Sequence, residues 1–470
     1  MANKNLSNAK NAKNDEFYTQ LNDIQAEVNA YIDYDPDVFR GKTVLLPCDD
    51  PEWSNFTRFF AQNFERFGLK KLISTSYAAA SKKIPNAEAR NRPLRGFATL
   101  GEANTPSEAR AESRGVRRGG RGVSPTRPQW YQPTLFEQES PQYDEKKTAV
   151  KGKIFVLDHD ANANGKIDFE DLEWEYLEGD GDFRSEEVCK LRDESDMIVT
   201  NPPFSLFREF LAWIVGADGG DDLAQRRRGA EGVKCGLAAK NAKGAKKFLI
   251  IGNMNAITYK EVFPLIMANK MWLGATGFVT DMVFGVPKGM FVKPADKAKA
   301  ARLGYVGDYT RLGNSCWFTN LEHGRRHRQL QLMTMADNIK FSKHKEVRGK
   351  GYLKYDNYDA IEVPFTDAIP GDYVGVMGVP ISFLDKYCPE QFEIVGVAKA
   401  GAGDPALKSK TYPEQIQVAK DGQETLVTKL NDGPVIKISK PPTGELYYKV
   451  GTEMFVQIYA RILIRARQPK

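Results

Sequence analysis

The chain has little cysteine. Its five, Cys48, Cys189, Cys235, Cys316 and Cys388, are scattered and odd in number. No two sit at zinc-ligand spacing. Free thiols in a reducing cytoplasm are the simplest reading. No uninterrupted apolar stretch is long enough to span a bilayer. The N-terminus, Met1-Ala-Asn-Lys-Asn, lacks an apolar signal core. A cytoplasmic protein, with no membrane partner, is the expectation. Glycine is missing where a nucleotide-binding turn would use it. The loop after the first apolar strand, Thr43–Pro47, reads Cys48-Asp49-Asp50-Pro51-Glu52-Trp53. That argues against a pyrophosphate cradle, but not against a nucleotide ligand without pyrophosphate.

What is present fits a soluble protein of about two or three domains. Hydrophobic residues make up 41% and charged residues 27% of 470 positions. The net charge of +6 and pI near 8.8 allow a polyanionic partner without proving one.

One stretch organises the rest: Asp196-Met-Ile-Val-Thr200-Asn201-Pro202-Pro203-Phe204-Ser205. Met197–Val199 reads as a buried strand, and two prolines stop it. Ser205 is placed to cap a helix over about 206–215. A rigid loop at the carboxyl end of a strand is where open α/β sheets put their ligands. An exocyclic amine on a nucleobase is a poor nucleophile, because its lone pair is delocalised. Two acceptors could hold its N–H groups and pull the nitrogen towards tetrahedral geometry. The Asn201 carboxamide oxygen and the Pro202 carbonyl are the candidates. Asn offers an acceptor without the desolvation cost of a carboxylate. Pro203 stiffens the turn, and Phe204 offers a face for stacking. The alternative is a proline loop with a packed Phe.

Asn-Pro-Pro-Phe resembles the fourth motif of amino-methylating DNA methyltransferases. Cys48-Asp-Asp-Pro-Glu-Trp-Ser-Asn-Phe56 is more specific and resembles the EcoRI-type adenine-specific DNA methyltransferase family. Asp15-Glu-Phe-Tyr18-Thr19, Tyr355–Val363 and Gly378–Tyr387 are similar to that family as well. The resemblance runs from about residue 14 into the C-terminal part, interrupted by insertions. It implies S-adenosylmethionine as donor, a flipped-out adenine in double-stranded DNA, and a bacterial or phage-encoded protein. It is compatible with a cognate restriction endonuclease acting separately. It further implies catalytic roles for Asn201, Pro202, Pro203 and Phe204. Tyr18, Thr19, Pro47, Cys48, Asp49 and Asp50 are then expected to bind the cofactor. So are Asp182 and Phe183, the carboxylate taking the adenine amine and the ring packing on the purine. Neither a metal nor a cysteine nucleophile is needed. Methyltransferases often end the second strand in an acidic residue for the ribose. Lys70–Tyr77 has none, so Ser74, Thr75 or Ser76 is the expected substitute.

The expected fold is α/β, a Rossmann-like methyltransferase sheet of about seven strands with a C-terminal DNA-recognition region. Residues 1–35 read as a tail and lid helix, 36–290 as the methyltransferase domain, and 291–470 as the recognition region. Flexible basic insertions are expected at about 80–148 and 217–245. From about 290, cations and aromatics interleave, including Trp317, Arg326, Lys343, Arg348 and Tyr355. That pattern suits DNA contact or an ordinary basic surface. Asp160–Asp171 resembles a calcium EF-hand loop, but ends in Asp and follows a strand. A hairpin turn at Asn164-Gly165 is the favoured reading. Three alternatives remain at this point: RNA or protein glutamine as substrate, a non-catalytic DNA-binding module, and a calcium-binding regulator.

Overall fold

The computed structural model describes residues 17–49, 54–78, 141–216, 246–278, 282–286, 292–400 and 404–467. The polar tail, Asp50, Glu52 and the insertion at 217–245 lie outside the described residues, as does most of the insertion at 80–148. The last part of that insertion runs into a helical turn, Glu145–Val150, capped by Asp144.

In chain order the first strands are β1 (Tyr18–Thr19), β2 (Thr43–Leu46), β3 (Lys71–Ser76), β4 (Lys153–Leu157) and β5 (Glu173–Tyr176). Then come β6 (Met197–Thr200), β7 (Lys247–Asn253), β8 (Trp272–Leu273), β9 (Val283–Gly285), β10 (Tyr309–Arg311) and β11 (Ser315–Thr319). Eight of them form one mixed sheet in the order β5-β4-β3-β2-β6-β7-β11-β8. At its centre β3, β2, β6 and β7 run parallel. The flanking pairs are antiparallel. Eight strands stand where about seven were expected. The sheet takes in β11, which lies beyond residue 290, where the sequence reading starts the C-terminal region. β9 leaves it to pair with β1 and β10 in a separate antiparallel sheet.

The central strands are covered on both faces, which is why β2, β6 and β7 read as continuous apolar runs. Pleating sends alternate residues to opposite sides. Val44, Leu46, Met197, Val199, Leu249 and Ile251 pack with Ile24, Val28, Tyr31, Phe56 and Phe60. These come from α1 (Leu21–Tyr34) and α2 (Asn55–Gln62). Leu45, Ile198, Phe248 and Ile250 pack instead with Val188, Phe207, Phe210 and Leu211. These belong to α3 (Glu186–Glu194) and α4 (Phe207–Val215). Ser185 caps α3, accepting from the Val188 amide. Ser205 does not cap α4. The prolines keep the chain extended, Phe204–Leu206 then winds as a 3₁₀ turn, and α4 starts only at Phe207.

The β4–β5 hairpin is present, with Lys153 opposite Tyr176 and Val156 opposite Glu173. Its connection is a long loop rather than a tight turn at Asn164-Gly165. The Asp160 carboxylate accepts from the Asn164 and Gly165 amides, at 3.1 and 2.7 Å. Asp171 accepts from the Ala161, Asn162 and Asp168 amides. These backbone donors lower the Asp171 pKa. No group of three metal-capable side chains occurs among the described residues.

Further on lie β12 (Ile361–Glu362), β13 (Met377–Pro380), β14 (Phe392–Ala398), β15 (Gln415–Val418) and β16 (Glu424–Val427). They are followed by β17 (Val435–Ile438), β18 (Tyr447–Val450), β19 (Glu453–Gln457) and β20 (Arg461–Ala466). They make two sheets, β12-β13-β20-β14 and β16-β15-β18-β19-β17. Met377, Val379, Phe392, Ile462 and Ile464 of the first share the core of α4. The stretch 455–465 is divided between β19 and β20, in different sheets. The chain leaves the ladder where the Ile458 amide bonds the Pro434 carbonyl. No helix among the described residues is long and apolar enough to cross a membrane.

Candidate active site

The parallel strands β2 and β6 are neighbours, so their carboxyl ends bring Pro47–Asp49 and Asn201–Phe204 together. Thr200, the last residue of β6, makes the join. Its Oγ1 lies 2.7 Å from the Pro47 carbonyl and 2.5 Å from Asp49 Oδ2. The other Asp49 oxygen accepts from Ser54 Oγ at 2.7 Å. Ser54 in turn caps α2. Asp49 is thus a buried brace, 5% exposed, with both oxygens engaged. Its backbone is held as firmly: the amide donates to Thr75 O, and Thr57 and Ser74 hydroxyls reach its carbonyl. Cys48, just before it, has φ +70. This is the left-handed turn that glycine makes without strain. The glycine missing from the sequence is therefore missing from a position whose backbone would favour it.

The Asn201 side chain is half-held. Its Nδ2 donates to the Phe17 carbonyl at 2.7 Å. A carbonyl only accepts, so the NH₂ end must face Phe17. That leaves Oδ1 buried with no hydrogen-bond partner among the described residues. Buried polar atoms rarely stay unpaired, and an exception calls for a reason. Pro202 is buried beside it, and Pro203 is partly exposed. The Phe204 ring sits 5.9 Å from Phe17 and 6.2 Å from Phe284, both measured between centroids. Three phenylalanines from distant segments thus line one corner. The Phe17 and Phe284 rings are a part of it that sequence reasoning missed. Phe17 stood inside a motif, but nothing signalled its carbonyl.

Tyr18 and Thr19 run alongside as β1, paired with Gly285 and Phe284. Thr19 is 2% exposed, and its hydroxyl has no hydrogen-bond partner among the described residues. It sits beside the Phe17 carbonyl that holds Asn201.

The Asp182 loop meets the sheet at the end of β3. Tyr77 OH donates to Asp180 Oδ2 at 2.8 Å and lies 3.3 Å from Asp182 Oδ2. Burial and these carboxylates push the Tyr77 pKa up. Gly181 lies so close that a Cβ there would collide with the Ser76 carbonyl, and its φ is +80. Asp182 is also clamped by Arg184, with Nε 2.8 Å and Nη2 2.6 Å from its two oxygens. The Asp182 carboxylate raises the Arg184 pKa. Phe183 is 3% exposed and lies edge-on to Phe210 and Trp213 in the core. The structure therefore brings Asp182 to the strand ends but seats the Phe183 ring beneath them. Ser74, Thr75 and Ser76 are buried within the sheet. The Asp180 and Asp182 carboxylates lie against Tyr77, just past the end of β3. Asp50 lies outside the described residues.

A cavity of about 670 Å³, lined by Lys42, Asp196 and Lys247 among others, opens at the amino ends of β2, β6 and β7. Ligands of open α/β sheets sit at the carboxyl ends, so this is not the candidate site. Among the cations and aromatics expected on a DNA-facing surface, Trp317, Arg326 and Tyr355 are buried. Arg326 lies 3.6 Å over the Trp272 ring. Lys340, Lys343, Lys345, Arg348, Lys350 and Lys354 are exposed.

A large mixed sheet with an amide corner beside a buried acidic turn fits the class of α/β methyltransferases. Residues 5–219 and 238–467 match the family model for the adenine-specific methyltransferase EcoRI. The Type II methyltransferase M.EcoRI of Escherichia coli is 35% identical over 404 residues, covering 84% of this chain and 90% of that protein. M.MpnI of Mycoplasma pneumoniae is 28% identical, with 87% and 90% covered. M.MgeORF184P of Mycoplasma genitalium is 29% identical, with 83% and 85% covered. No solved structure matches the chain. The chain belongs to the EcoRI family of adenine-specific methyltransferases.

Proposed function

We propose that this chain methylates the N6 amine of a specific adenine in double-stranded DNA, using S-adenosylmethionine. The observation that carries the reading is the buried Oδ1 of Asn201, without a partner among the described residues, its amide turned by the Phe17 carbonyl. Oδ1 accepts one amino hydrogen, and the Pro202 carbonyl accepts the other. Together they draw the nitrogen lone pair out of the ring. Phe204, backed by Phe17 and Phe284, stacks on the extruded base. Extrusion costs a few kcal/mol, which stacking and hydrogen bonds offset.

The residues present fit the cofactor. Thr19 Oγ1 is a buried hydroxyl open to it, and the Pro47–Asp49 turn forms the floor. Asp180 and Asp182 offer carboxylates to ribose hydroxyls or the purine amine. Bound S-adenosylmethionine would supply a methyl on a sulfonium already activated for transfer. The chain's contribution is positioning. The exposed cations between Lys340 and Lys354 contact phosphates, and the C-terminal sheets read the target. The relatives' names as Type II methyltransferases favour a modification role in a bacterial or phage cytoplasm. A separately acting endonuclease fits that role.

The test is tritium transfer from labelled S-adenosylmethionine to unmethylated duplex DNA, followed by nucleoside analysis. Label in N6-methyladenine is expected. Label in RNA, in protein or in cytosine overturns the substrate. Asn201→Ala should abolish transfer while cofactor binding, read by calorimetry, stays nearly intact. Unchanged turnover removes Asn201 from the mechanism.

A further inference from the structure

Two routes join the turn after β2 to Asn201, and they hold different things. The direct route, from Thr200 to Asp49 and Pro47, fixes the backbone before Asn201. It does not touch the Asn201 amide. The second route does. It runs through the short segment Phe17–Thr19, whose Phe17 carbonyl takes the amide NH₂ at 2.7 Å. Two residues on, the Thr19 carbonyl is held at 2.7 Å by Nδ2 of Asn55. Asn55 is the first residue of α2, directly after the Ser54 cap that bonds Asp49. One side-chain amide therefore anchors the segment that orients another. Among the described residues, β1 otherwise gains its backbone pairing from β9, on the side away from this turn.

The geometry points to Asn55 as a positioning residue for methyl transfer. It keeps the Phe17 carbonyl where it must be to turn Asn201 Oδ1 towards the substrate amine. This rests on the reading that Asn201 accepts that amine. Asn55 touches neither substrate nor reacting atoms; it acts through the segment and then through Asn201. Asn55→Asp is the sharpest variant. It keeps the shape but replaces the donor by an oxygen facing the Thr19 carbonyl.

The experiment compares single-turnover rates on unmethylated bacterial genomic DNA for the full chain and its variants. It also measures S-adenosylhomocysteine affinity, DNA affinity and thermal midpoint. Asn55→Asp and Asn55→Ala should slow transfer by about 10- to 100-fold, the range for sub-ångström to ångström misplacement of a reacting group. Both affinities should stay within about threefold, and Asn55→Gln, which restores a donor, should recover part of the rate. In an Asn201→Ser background, which keeps an acceptor but has no amide to turn, Asn55→Ala should add little. Additive losses in that cycle would overturn the proposal. So would an unchanged rate in Asn55→Asp, or a rate that falls only in step with cofactor affinity or thermal midpoint. If Asn201→Ala itself leaves transfer unchanged, the role given to Asn201 fails first, and this inference with it. A dead Asn201→Ala with a fully active Asn55→Asp sinks this inference alone.

Discussion

β2 and β6 lie side by side, and each ends near a polar side chain, yet the two ends are in opposite states. Asp49, after β2, has a proton donor on each carboxylate oxygen and is buried. Asn201, after β6, has its donor end bound and its acceptor end empty. The first is built to be closed. The second is closed only as far as needed to aim what remains. Other buried acceptors have no partner among the described residues, such as Asn29 Oδ1, His323 Nδ1 and Asn338 Oδ1. What sets Asn201 apart is its place at the carboxyl end of a central parallel strand. An open acceptor marks a site only where a ligand can come.

The comparison can be broken most sharply at Asn201. Asn201→Asp keeps the shape but puts an oxygen against the Phe17 carbonyl. Methyl transfer should fall about 100- to 1,000-fold, the usual cost of one misplaced stabilising group, while the far-ultraviolet spectrum stays unchanged. A fully active Asn201→Asp would mean the amide's orientation carries no chemistry.

His323 tests whether a closed environment away from the site behaves differently. It is buried against Tyr31, with Nε2 3.0 Å from the Leu273 carbonyl. Burial lowers its pKa from 6.5 to about 4. The unfolded chain therefore binds a proton that the folded chain refuses. The stabilisation is complete above pH 6.5 and is lost as pH falls towards 4. Its size is about 3 kcal/mol, from about 1.4 kcal/mol per unit of pKa difference. Urea unfolding at pH 7 and pH 4.5 should show that loss, and His323→Gln should flatten it. An equal slope in the variant would assign the acid sensitivity elsewhere.

Asp49→Ala gives the smallest of the three effects. It strands the Ser54 hydroxyl proton, leaves Thr200 with the Pro47 carbonyl alone, and should cost about 1–3 kcal/mol of stability. The denaturation midpoint should drop, and cofactor affinity should drop with it. A loss of transfer with no loss of stability would show that Asp49 acts on the ligand rather than as a brace.

β2 and β6 were legible because they are doubly covered and so carry unbroken apolar runs, whereas the parallel β3 turns polar at Ser74–Ser76. Thr43–Leu46 and Met197–Thr200 fall where the apolar runs put them. The corner was legible because two adjacent prolines after such a run admit few conformations. β11 was not. Ser315–Thr319 is buried throughout, but its surroundings are polar and its pairing partner β7 lies far away in sequence. The C-terminal sheets escaped for a similar reason: their strands are two to seven residues long, too short for a clear period. Ser205 showed the limit of local rules, since a capping residue is useless where the helix does not yet begin. The Asp182 and Phe183 contacts were not legible: Arg184 clamps the one and the Phe210 and Trp213 rings pack against the other, and neither is visible in a motif.

The atom that steers Asn201 belongs to the main chain. Every amino acid at position 17 would present the same oxygen, so the Phe17 ring can change without touching that grip. Drift at this locus should leave the aim of the amide intact and alter only the aromatic lining. The vulnerable loci are the ones whose side chains hold that oxygen's strand in register, which shifts selection from the contact itself to its supports.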